Sequence, residues 1–277
     1  MFFEQLKGFD RRLLNLNNNR YLLCVGSILS ILGNRYFFTV ILRTLNINQY
    51  MERIYTGKTK DVYRHGDGEV LLQFKDDVTG TDGVFDPGAN TVGLSIDGMG
   101  KAGLRLSTYF FEKLKKEGIA THFISTDLEK TQMVVKEAEM FGHGLEVICR
   151  YRAVGSFYRR YAIYCKEGQK LNALVEFTIK DDERGDPTIS KDTLEALNIV
   201  SASDYEKIHK LTIKICALVK EELSLRGLEL YDIKLEFGKD KTSGEIMLID
   251  ELSAGNMRVY KGKEIVKPLE VGELFFK

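Results

Sequence analysis

The chain has 277 residues, which is enough for one large domain or two smaller ones around a sizeable core. Its 40 basic and 40 acidic residues cancel, so net charge gives no support to bulk nucleic-acid binding, and 44% hydrophobic residues are typical of a globular protein. The cysteines are widely spaced, without a C-x-x-C pair, so neither a zinc site nor a disulfide framework is indicated. We expect reduced cysteines in a cytoplasmic protein.

Residues 1–50 are basic and contain two apolar runs, "YLLCVGSILSIL" and "YFFTVIL". The longer run is too short to span a bilayer, and no small-residue cleavage site follows it. Globular patterning begins at Met51, in "MERIYTGKTKDVY". We therefore expect Met51 to be the functional start and residues 1–50 to be an N-terminal extension. A membrane-associating amphipathic arm is the alternative.

Strand patterns come first after Met51. The segment 54–74, "IYTGKTKDVYRHGDGEVLLQF", predicts β-strands around a glycine-bearing turn. Lys58 and Lys60 follow Gly57 in alternation, so both would point the same way along a strand and could face a polyphosphate. Solvated lysines in a β-turn are the alternative, because this is not the G-x-x-x-x-G-K-S/T loop.

The following segment, "DDVTGTDGVFDPGANTVG", is rich in turn residues. It predicts a long loop, and loops of that length are often functional, for example as lids.

Two helices are predicted. The segment 101–116 has helical apolar spacing and stops at Gly118. The segment 203–226 opens with a capping box formed by Ser203 and Glu206. Between the helices, "LEVICRY" predicts a strand. Strands first and a strand-helix mixture later predict an α+β protein in two lobes, a β-rich lobe over residues 51–145 and a larger α+β lobe over residues 146–277.

Polar clusters follow the predicted junction. The segment "CRYRAVGSFYRRY" concentrates arginines around Gly155 and Ser156, which suits phosphate or carboxylate binding, with a solvated basic turn as the alternative. The segment "FTIKDDERGDP" is a charged loop that would usually be solvent-exposed. The histidines are isolated, and we expect each of them to be structural.

The strand "LYDIKLEFG" places Asp232, Lys234 and Glu236 on one face. The next strand, in "EIMLIDELS", ends at Asp250 and Glu251, and the short connection predicts a hairpin. Carboxylates on such a pair, with a lysine beside them, are what a Mg²⁺-nucleotide site needs. A surface strand with its polar side in water is the alternative.

Five motifs in order resemble the SAICAR synthetases, the phosphoribosylaminoimidazole-succinocarboxamide synthases of purine biosynthesis: "YTGKTKDVY", "LEVICRYRAVGS", "KDDERGDP", "YDIKLEFG" and "IDELSAGNMR". The resemblance covers residues 51–277. It implies a two-lobed α+β fold with ATP between the lobes. It also implies a ligase that joins the carboxylate of carboxyaminoimidazole ribonucleotide to the amine of L-aspartate through an acyl phosphate.

The resemblance also implies the nucleotide and metal site. Gly57, Lys58 and Lys60 would contact the ATP phosphates. The strand around Glu146 and Ile148 would hold adenine through its backbone. The Mg²⁺ ligands would be Glu236 and Asp250.

For the substrates, the resemblance implies that Arg150, Ser156 and Arg258 hold the ribonucleotide. Lys180, Asp186 and Asp82 are further implied substrate-binding residues. Lys234 would stabilise charge on the transferred phosphoryl group. Asp186 and Asp232 would fix the imidazole side of the ribonucleotide. Together with Lys234, they form the implied catalytic set.

The sequence departs from the family pattern at two places. Ser253, Ala254 and Gly255 stand where the family usually has Ser-Pro-Asp, and "DGMGKAGLRLS" replaces a loop with lysine-glycine and then asparagine. A related ATP-dependent ligase or kinase acting on a different amine or carboxylate is therefore the alternative. A non-catalytic nucleotide-binding protein is a third, against which the retained Lys58, Lys234, Glu236 and Asp250 argue. Family habit implies a homodimer, without nucleic-acid or membrane partners.

Overall fold

The computed structural model describes residues 52–277, which contain an α+β arrangement of strands in separate antiparallel sheets. The first nine strands, in chain order, are β1 (Arg53–Thr56), β2 (Lys60–Gly66), β3 (Glu69–Phe74), β4 (Asp77–Thr81), β5 (Val84–Phe85), β6 (Val92–Ser95), β7 (Phe123–Asp127), β8 (Gln132–Lys136) and β9 (Ala138–Met140). The others are β10 (Leu145–Arg152), β11 (Lys170–Ile179), β12 (Glu229–Asp240), β13 (Ile246–Ile249), β14 (Met257–Lys261) and β15 (Glu264–Ile265).

Helices lie between and after these strands. They are α1 (Met99–Lys116), α2 (Gly155–Tyr161), α3 (Lys191–Ala196), α4 (Ala202–Ser224) and α5 (Pro268–Phe275), with 3₁₀ turns at Asp182–Arg184 and Ala254–Asn256. Within residues 52–277, no helix combines the length and the apolar character needed to cross a bilayer. The predicted start at Met51 and the alternative of an amphipathic arm both lie outside the described residues.

The first sheet has the strand order β1-β2-β3-β8-β7 and is antiparallel throughout. Its inner side packs against α1, so that Met133 and Val135 share a core with Phe110 and Phe111. Helix α1 ends as predicted, because Gly118 has a φ of 66°, which suits a glycine just past a helix end.

The glycine-rich segment after the first sheet is not the long loop that the sequence predicts. It forms a small sheet in the order β5-β4-β6. A Cβ added to Gly93 would lie 2.5 Å from the Gly80 carbonyl carbon, so glycine is needed here for two strands to approach closely. Gly80 and Gly93 therefore serve strand packing, whereas Gly83, with a φ of 77°, forms the turn between β4 and β5.

The second sheet has seven strands, in the order β11-β10-β12-β14-β15, with β9 and β13 also paired to β12. One face packs on α4, where Ile233 and Leu235 meet Ile215 and Val219 in the main core. The predicted hairpin of β12 and β13 is confirmed, with Glu236 opposite Ile249. In chain order, β8 is the last strand of the first sheet, and β9 already belongs to the second. The boundary between two lobes at residues 145/146 stays a prediction.

Helix α4 begins earlier than the sequence predicts. Its N-cap is Ser201, whose hydroxyl accepts a hydrogen bond from the Asp204 amide at 3.1 Å, so the predicted capping box is wrong. Ser203 lies inside the helix, and Glu206 instead accepts a hydrogen bond from Lys191 at 2.7 Å. The described cysteines, Cys149, Cys165 and Cys216, are free thiols.

Candidate active site

The second sheet presents polar side chains on the face opposite α4. Cross-strand pairing sets Glu146 beside Glu236 and Arg150 beside Asp232. Arg258 of β14 lies on the other side of Asp232. At about 3.3 Å per residue, the row from Asp232 to Glu236 spans roughly 13 Å. The charged face of β12 is therefore part of an extended polar surface that several strands build together.

Two cavities lie above this surface. The sequence-predicted residues that line the first are Glu146, Ile148, Arg150, Ser156, Asp186, Asp232, Lys234 and Arg258. The predicted residues that line the second are Gly57, Lys58, Lys60, Glu146, Lys180, Lys234, Glu236 and Asp250. We call them the arginine cavity and the lysine cavity. They adjoin, because Glu146, Lys234, Asn256 and Pro87 line both.

Lysines and carboxylates alternate in the lysine cavity. Lys60 Nζ lies 3.0 Å from Asp250 Oδ1 and also forms an ion pair with Glu251. Burial would lower the pKa of Lys60, but Asp250 and Glu251 outweigh it, so the pKa is raised and the ammonium stays charged. Lys180 Nζ lies 2.8 Å from Glu236 Oε1 and keeps its charge for the same reason.

The pKa values of Glu236 and Asp250 depend on burial and on neighbouring charges. Burial and the Asp250 carboxylate raise the pKa of Glu236 above its ordinary value, although Lys180 and Lys234 oppose this. For Asp250 burial works in the same direction, but Lys60 outweighs it and lowers the pKa. A buried carboxylate, Glu236, and a partly exposed one, Asp250, supply oxygen donors that fit a hard divalent cation. Residues 52–277 contain no cluster of three or more acidic, histidine or cysteine donors, so further ligands would have to come from a bound molecule or water.

An ion pair forms the wall between the cavities. Lys234 Nζ lies 2.6 Å from Glu146 Oε1, and Thr178 Oγ1 donates to the same carboxylate at 3.1 Å. Burial would lower the pKa of Lys234, but Glu146 and Glu236 outweigh it and raise the pKa. The carboxamide of Asn256 donates to the Lys234 carbonyl at 3.0 Å and so fixes the backbone beneath the lysine.

The arginine cavity has a buried ionic network at its floor. Asp232 Oδ2 accepts from Arg150 at 2.8 Å and from Arg258 at 2.7 Å. Arg150 also donates to Ser156 Oγ at 3.0 Å. Gly155 has a φ of 56°, and a Cβ there would lie 2.5 Å from an Arg258 nitrogen, so this position requires glycine. Glu176 also pairs with Arg150, and Asp86 with Arg258, so both guanidinium groups are held in fixed positions by carboxylates.

Three sequence predictions need correction. The backbone at Glu146 and Ile148 pairs with β11 on one side and β12 on the other, so it has no free edge for adenine. Lys58 lies in the turn before β2 and pairs with Asp182 at 2.7 Å, so strand alternation does not align it with Lys60. Asp82 lies at the exposed turn between β4 and β5 and lines neither cavity.

Three residues of the site were not among the individually assigned site residues, although the sequence pattern showed Glu251 as a carboxylate at the end of its strand. Glu251 pairs with Lys60, Asp86 pairs with Arg258, and Asn256 lies in the shared wall. The run of two acidic residues at the end of a strand was a signal for Glu251. Asp86 gave no comparable signal, because its partner Arg258 lies far along the chain, and Asn256 gave none because the Lys234 carbonyl that it contacts belongs to another strand.

The fold and these cavities define a class of protein. They are those of an α+β protein with two adjoining polar cavities and a half-buried lysine, Lys234, in the wall between them.

Comparison with known proteins identifies the member of this class. The SAICAR synthetase family model matches residues 53–270, and the chain belongs to this family. The phosphoribosylaminoimidazole-succinocarboxamide synthase of Clostridium tetani is 58% identical over 227 residues, which cover 82% of this chain and 100% of that protein. The corresponding enzyme of Finegoldia magna is 38% identical over 76% of this chain and 86% of its own length. A solved SAICAR synthetase in complex with ADP matches with a TM-score of 0.70 at 31% identity, covering 80% of this chain and 95% of that one.

Proposed function

We propose that this protein joins the carboxylate of carboxyaminoimidazole ribonucleotide to the amine of L-aspartate, with cleavage of ATP to ADP and phosphate. The observation that carries the proposal is the pair of adjoining cavities that share Lys234, in a chain of the SAICAR synthetase family. A reaction between two anionic substrates needs such an arrangement, because both must reach one point while their charges are neutralised.

ATP would occupy the lysine cavity. Gly57, Lys58 and Lys60 line the end where phosphates would lie, and Val62 and Leu72 of the first sheet supply an apolar wall for the base. This wall replaces the backbone contact with adenine that the sequence suggested. The solved relative with bound ADP supports a nucleotide site in this fold.

Glu236 and Asp250 would hold Mg²⁺. When bound there, the ion would supply positive charge that neutralises the phosphates. The raised pKa of Glu236 beside Asp250 supports this assignment, because a cation would relieve the repulsion between the two groups. Lys60 and Lys180, which pair with these carboxylates, would then be able to contact the phosphates.

The ribonucleotide would occupy the arginine cavity. Its phosphate would bind near Arg150, Ser156 and Arg258, at one end of the row on β12. Its carboxylate would then point toward Lys234, in the middle of the same row. Asp186 lines this cavity, and burial together with Glu146 raises the pKa of its carboxyl group, which suits a hydrogen bond to the imidazole side.

The reaction would proceed through an acyl phosphate. A carboxylate oxygen attacks the terminal phosphorus of ATP, the bond to ADP breaks, and the amine of L-aspartate then attacks the acyl carbon and displaces phosphate. Lys234 would stabilise charge on the transferred phosphoryl group. Asp232, which accepts hydrogen bonds from Arg150 and Arg258, would hold these arginines and not fix the imidazole side as the resemblance implied. A cytoplasmic location and a homodimer are part of the proposal and depend on the family resemblance.

Phosphate release with ATP, Mg²⁺ and the ribonucleotide, measured with and without L-aspartate, tests the proposal. Release that requires both substrates is expected. Running the full chain beside residues 51–277 also tests whether residues 1–50 are needed.

A different amine acceptor is the second candidate. It is favoured by Gly255, which lines the lysine cavity without an acidic side chain. Turnover of ATP and ribonucleotide that does not depend on L-aspartate would support it, and a screen of other amines would then identify the acceptor.

A further inference from the structure

The backbone of Asp250 is in the left-handed region, with a φ of 64°, which costs free energy for an aspartate. In an extended strand, consecutive side chains point to opposite faces. Here Asp250 and Glu251 both form ion pairs with Lys60. The left-handed turn at Asp250 therefore contributes to the geometry of the site, since a continued strand would send one carboxylate away.

A distant side chain holds this turn. His122 Nε2 lies 3.1 Å from the Asp250 carbonyl oxygen. Because a carbonyl oxygen only accepts hydrogen bonds, this assigns the ring proton to Nε2 as the donor. The next carbonyl, that of Glu251, accepts from Asn256 Nδ2 at 2.6 Å. After the end of β13, side chains therefore donate hydrogen bonds to backbone carbonyl oxygens in place of a neighbouring strand.

The position of His122 does not depend on Asp250. Its amide donates to the Leu248 carbonyl at 3.0 Å, and its carbonyl accepts from the Lys136 amide at 2.7 Å. Its ring is buried and packs edge-on against Phe111, with ring centroids 5.4 Å apart. The donor is therefore fixed by backbone pairing and by packing.

We propose that His122 is a positioning residue whose hydrogen bond to the Asp250 carbonyl sets the turn that aims the Asp250 carboxylate into the metal-nucleotide site. It lines neither cavity, so it acts only through Asp250. The inference rests on the proposed function, because it concerns the same site. It also replaces the expectation that this histidine is only structural.

The test is binding of ADP by the full chain, measured by calorimetry over a range of Mg²⁺ concentrations. His122→Leu removes the donor and keeps an apolar side chain in place. The Mg²⁺ concentration for half-maximal ADP binding should rise by about tenfold or more, as for other groups that orient a metal ligand. Binding of ADP without Mg²⁺ should stay within about twofold, because the lysines of the cavity are untouched.

Two further variants separate positioning from packing. His122→Gln keeps a donor with similar reach and should restore most of the Mg²⁺ dependence. Phe111→Leu disturbs the packing of the same ring without removing the hydrogen bond, and it should leave the Mg²⁺ dependence near that of the wild type. His122→Met, a second variant without the donor, is used if His122→Leu does not fold.

An unchanged Mg²⁺ dependence in the variant without the donor would overturn the inference while leaving the proposed function standing. Equal shifts in His122→Leu, His122→Gln and Phe111→Leu would also overturn it, since packing alone would then explain them. If the wild type shows no Mg²⁺-dependent ADP binding, the metal assignment itself fails, and the inference fails with it.

Discussion

Lys234 donates to Glu146 across a distance of 2.6 Å, and both side chains line each of the two cavities. The pair places the Lys234 ammonium group in the wall that the two cavities share, between the positions proposed for the two substrates. The Lys234 side chain is 26% exposed, so its ammonium group is held by Glu146 and still reaches the cavities.

Replacing Lys234 by methionine should therefore reduce kcat by about a hundredfold or more, with smaller effects on the KM values, because stabilisation of a transition-state charge is lost. Steady-state phosphate release measures this. Lys239→Met is the matched control. Lys239 lies on the same strand and pairs with Asp204 at 2.9 Å, but it lines neither cavity. Equal losses in both variants would remove Lys234 from the chemistry.

Glu236→Gln and Asp250→Asn should each abolish Mg²⁺-dependent turnover while leaving the chain folded, because each removes a ligand charge at nearly constant volume. Phosphate release over a range of Mg²⁺ concentrations, with circular dichroism as the folding check, measures this. Glu229→Gln serves as control, since Glu229 is on the same strand but pairs with Arg152 outside the cavities. Near-normal turnover in either variant would exclude that residue as a ligand.

Arg150→Lys should raise the KM of the ribonucleotide by about tenfold or more and leave the KM of ATP almost unchanged, because lysine cannot reproduce the fork of a guanidinium group. Initial rates at varied concentrations of each substrate measure the difference. Arg152→Lys, two residues away on the same strand, changes an arginine that lines neither cavity. An unaltered ribonucleotide KM in the Arg150 variant would contradict its assignment.

The pH dependence of stability should show the effect of Glu222, which is far from the cavities. Burial alone would raise its pKa, but hydrogen bonds from Lys113, Tyr109 and Arg226 outweigh burial and lower the pKa from 4.5 to about 2. A lowered folded-state pKa stabilises the protein above the unfolded value, and the contribution is lost as pH falls from about 5 to about 2. At neutral pH it amounts to roughly 2–3 kcal/mol.

Glu222→Gln should therefore lower the free energy of unfolding at pH 7 by about that amount. The difference in free energy of unfolding between the wild type and this variant should fall to about half by pH 3. Urea unfolding at several pH values measures both. The adjacent exposed residue provides the control, because Glu221→Gln should change stability by less than about 0.5 kcal/mol at any pH. If the difference in free energy of unfolding between the wild type and Glu222→Gln did not change with pH, the ionised carboxylate of Glu222 would not be the stabilising form.

Local sequence patterns predicted the parts of the site that depend on single strands. Alternation in "LYDIKLEFG" is enough to place Asp232, Lys234 and Glu236 on one face, and the short connection is enough to predict the hairpin with β13. The two cavities bring together nearly all of the residues that the family resemblance named, with Asp82 as the exception. These predictions succeeded because side-chain direction in a strand follows from backbone geometry alone.

Contacts between distant segments could not be predicted in this way. The sequence does not show that β10 lies between β11 and β12, so the paired edges at Glu146 and Ile148 were missed. Glycines at positions 80 and 93 suggested turns, because nothing in the local sequence reveals that another backbone passes nearby. The left-handed turn at Asp250 likewise depends on neighbours such as His122, which is remote in the chain.

The two faces of β12 have a consequence for tolerance to insertions. Odd-numbered positions such as Ile233 and Leu235 form the core, and even-numbered positions such as Lys234 and Glu236 form the site. Inserting one residue at the start of this strand would exchange the two sets, burying charges against α4 and presenting leucine and isoleucine to the substrates. Stability and catalysis would be lost together, whereas most single substitutions on one face would affect mainly one of them.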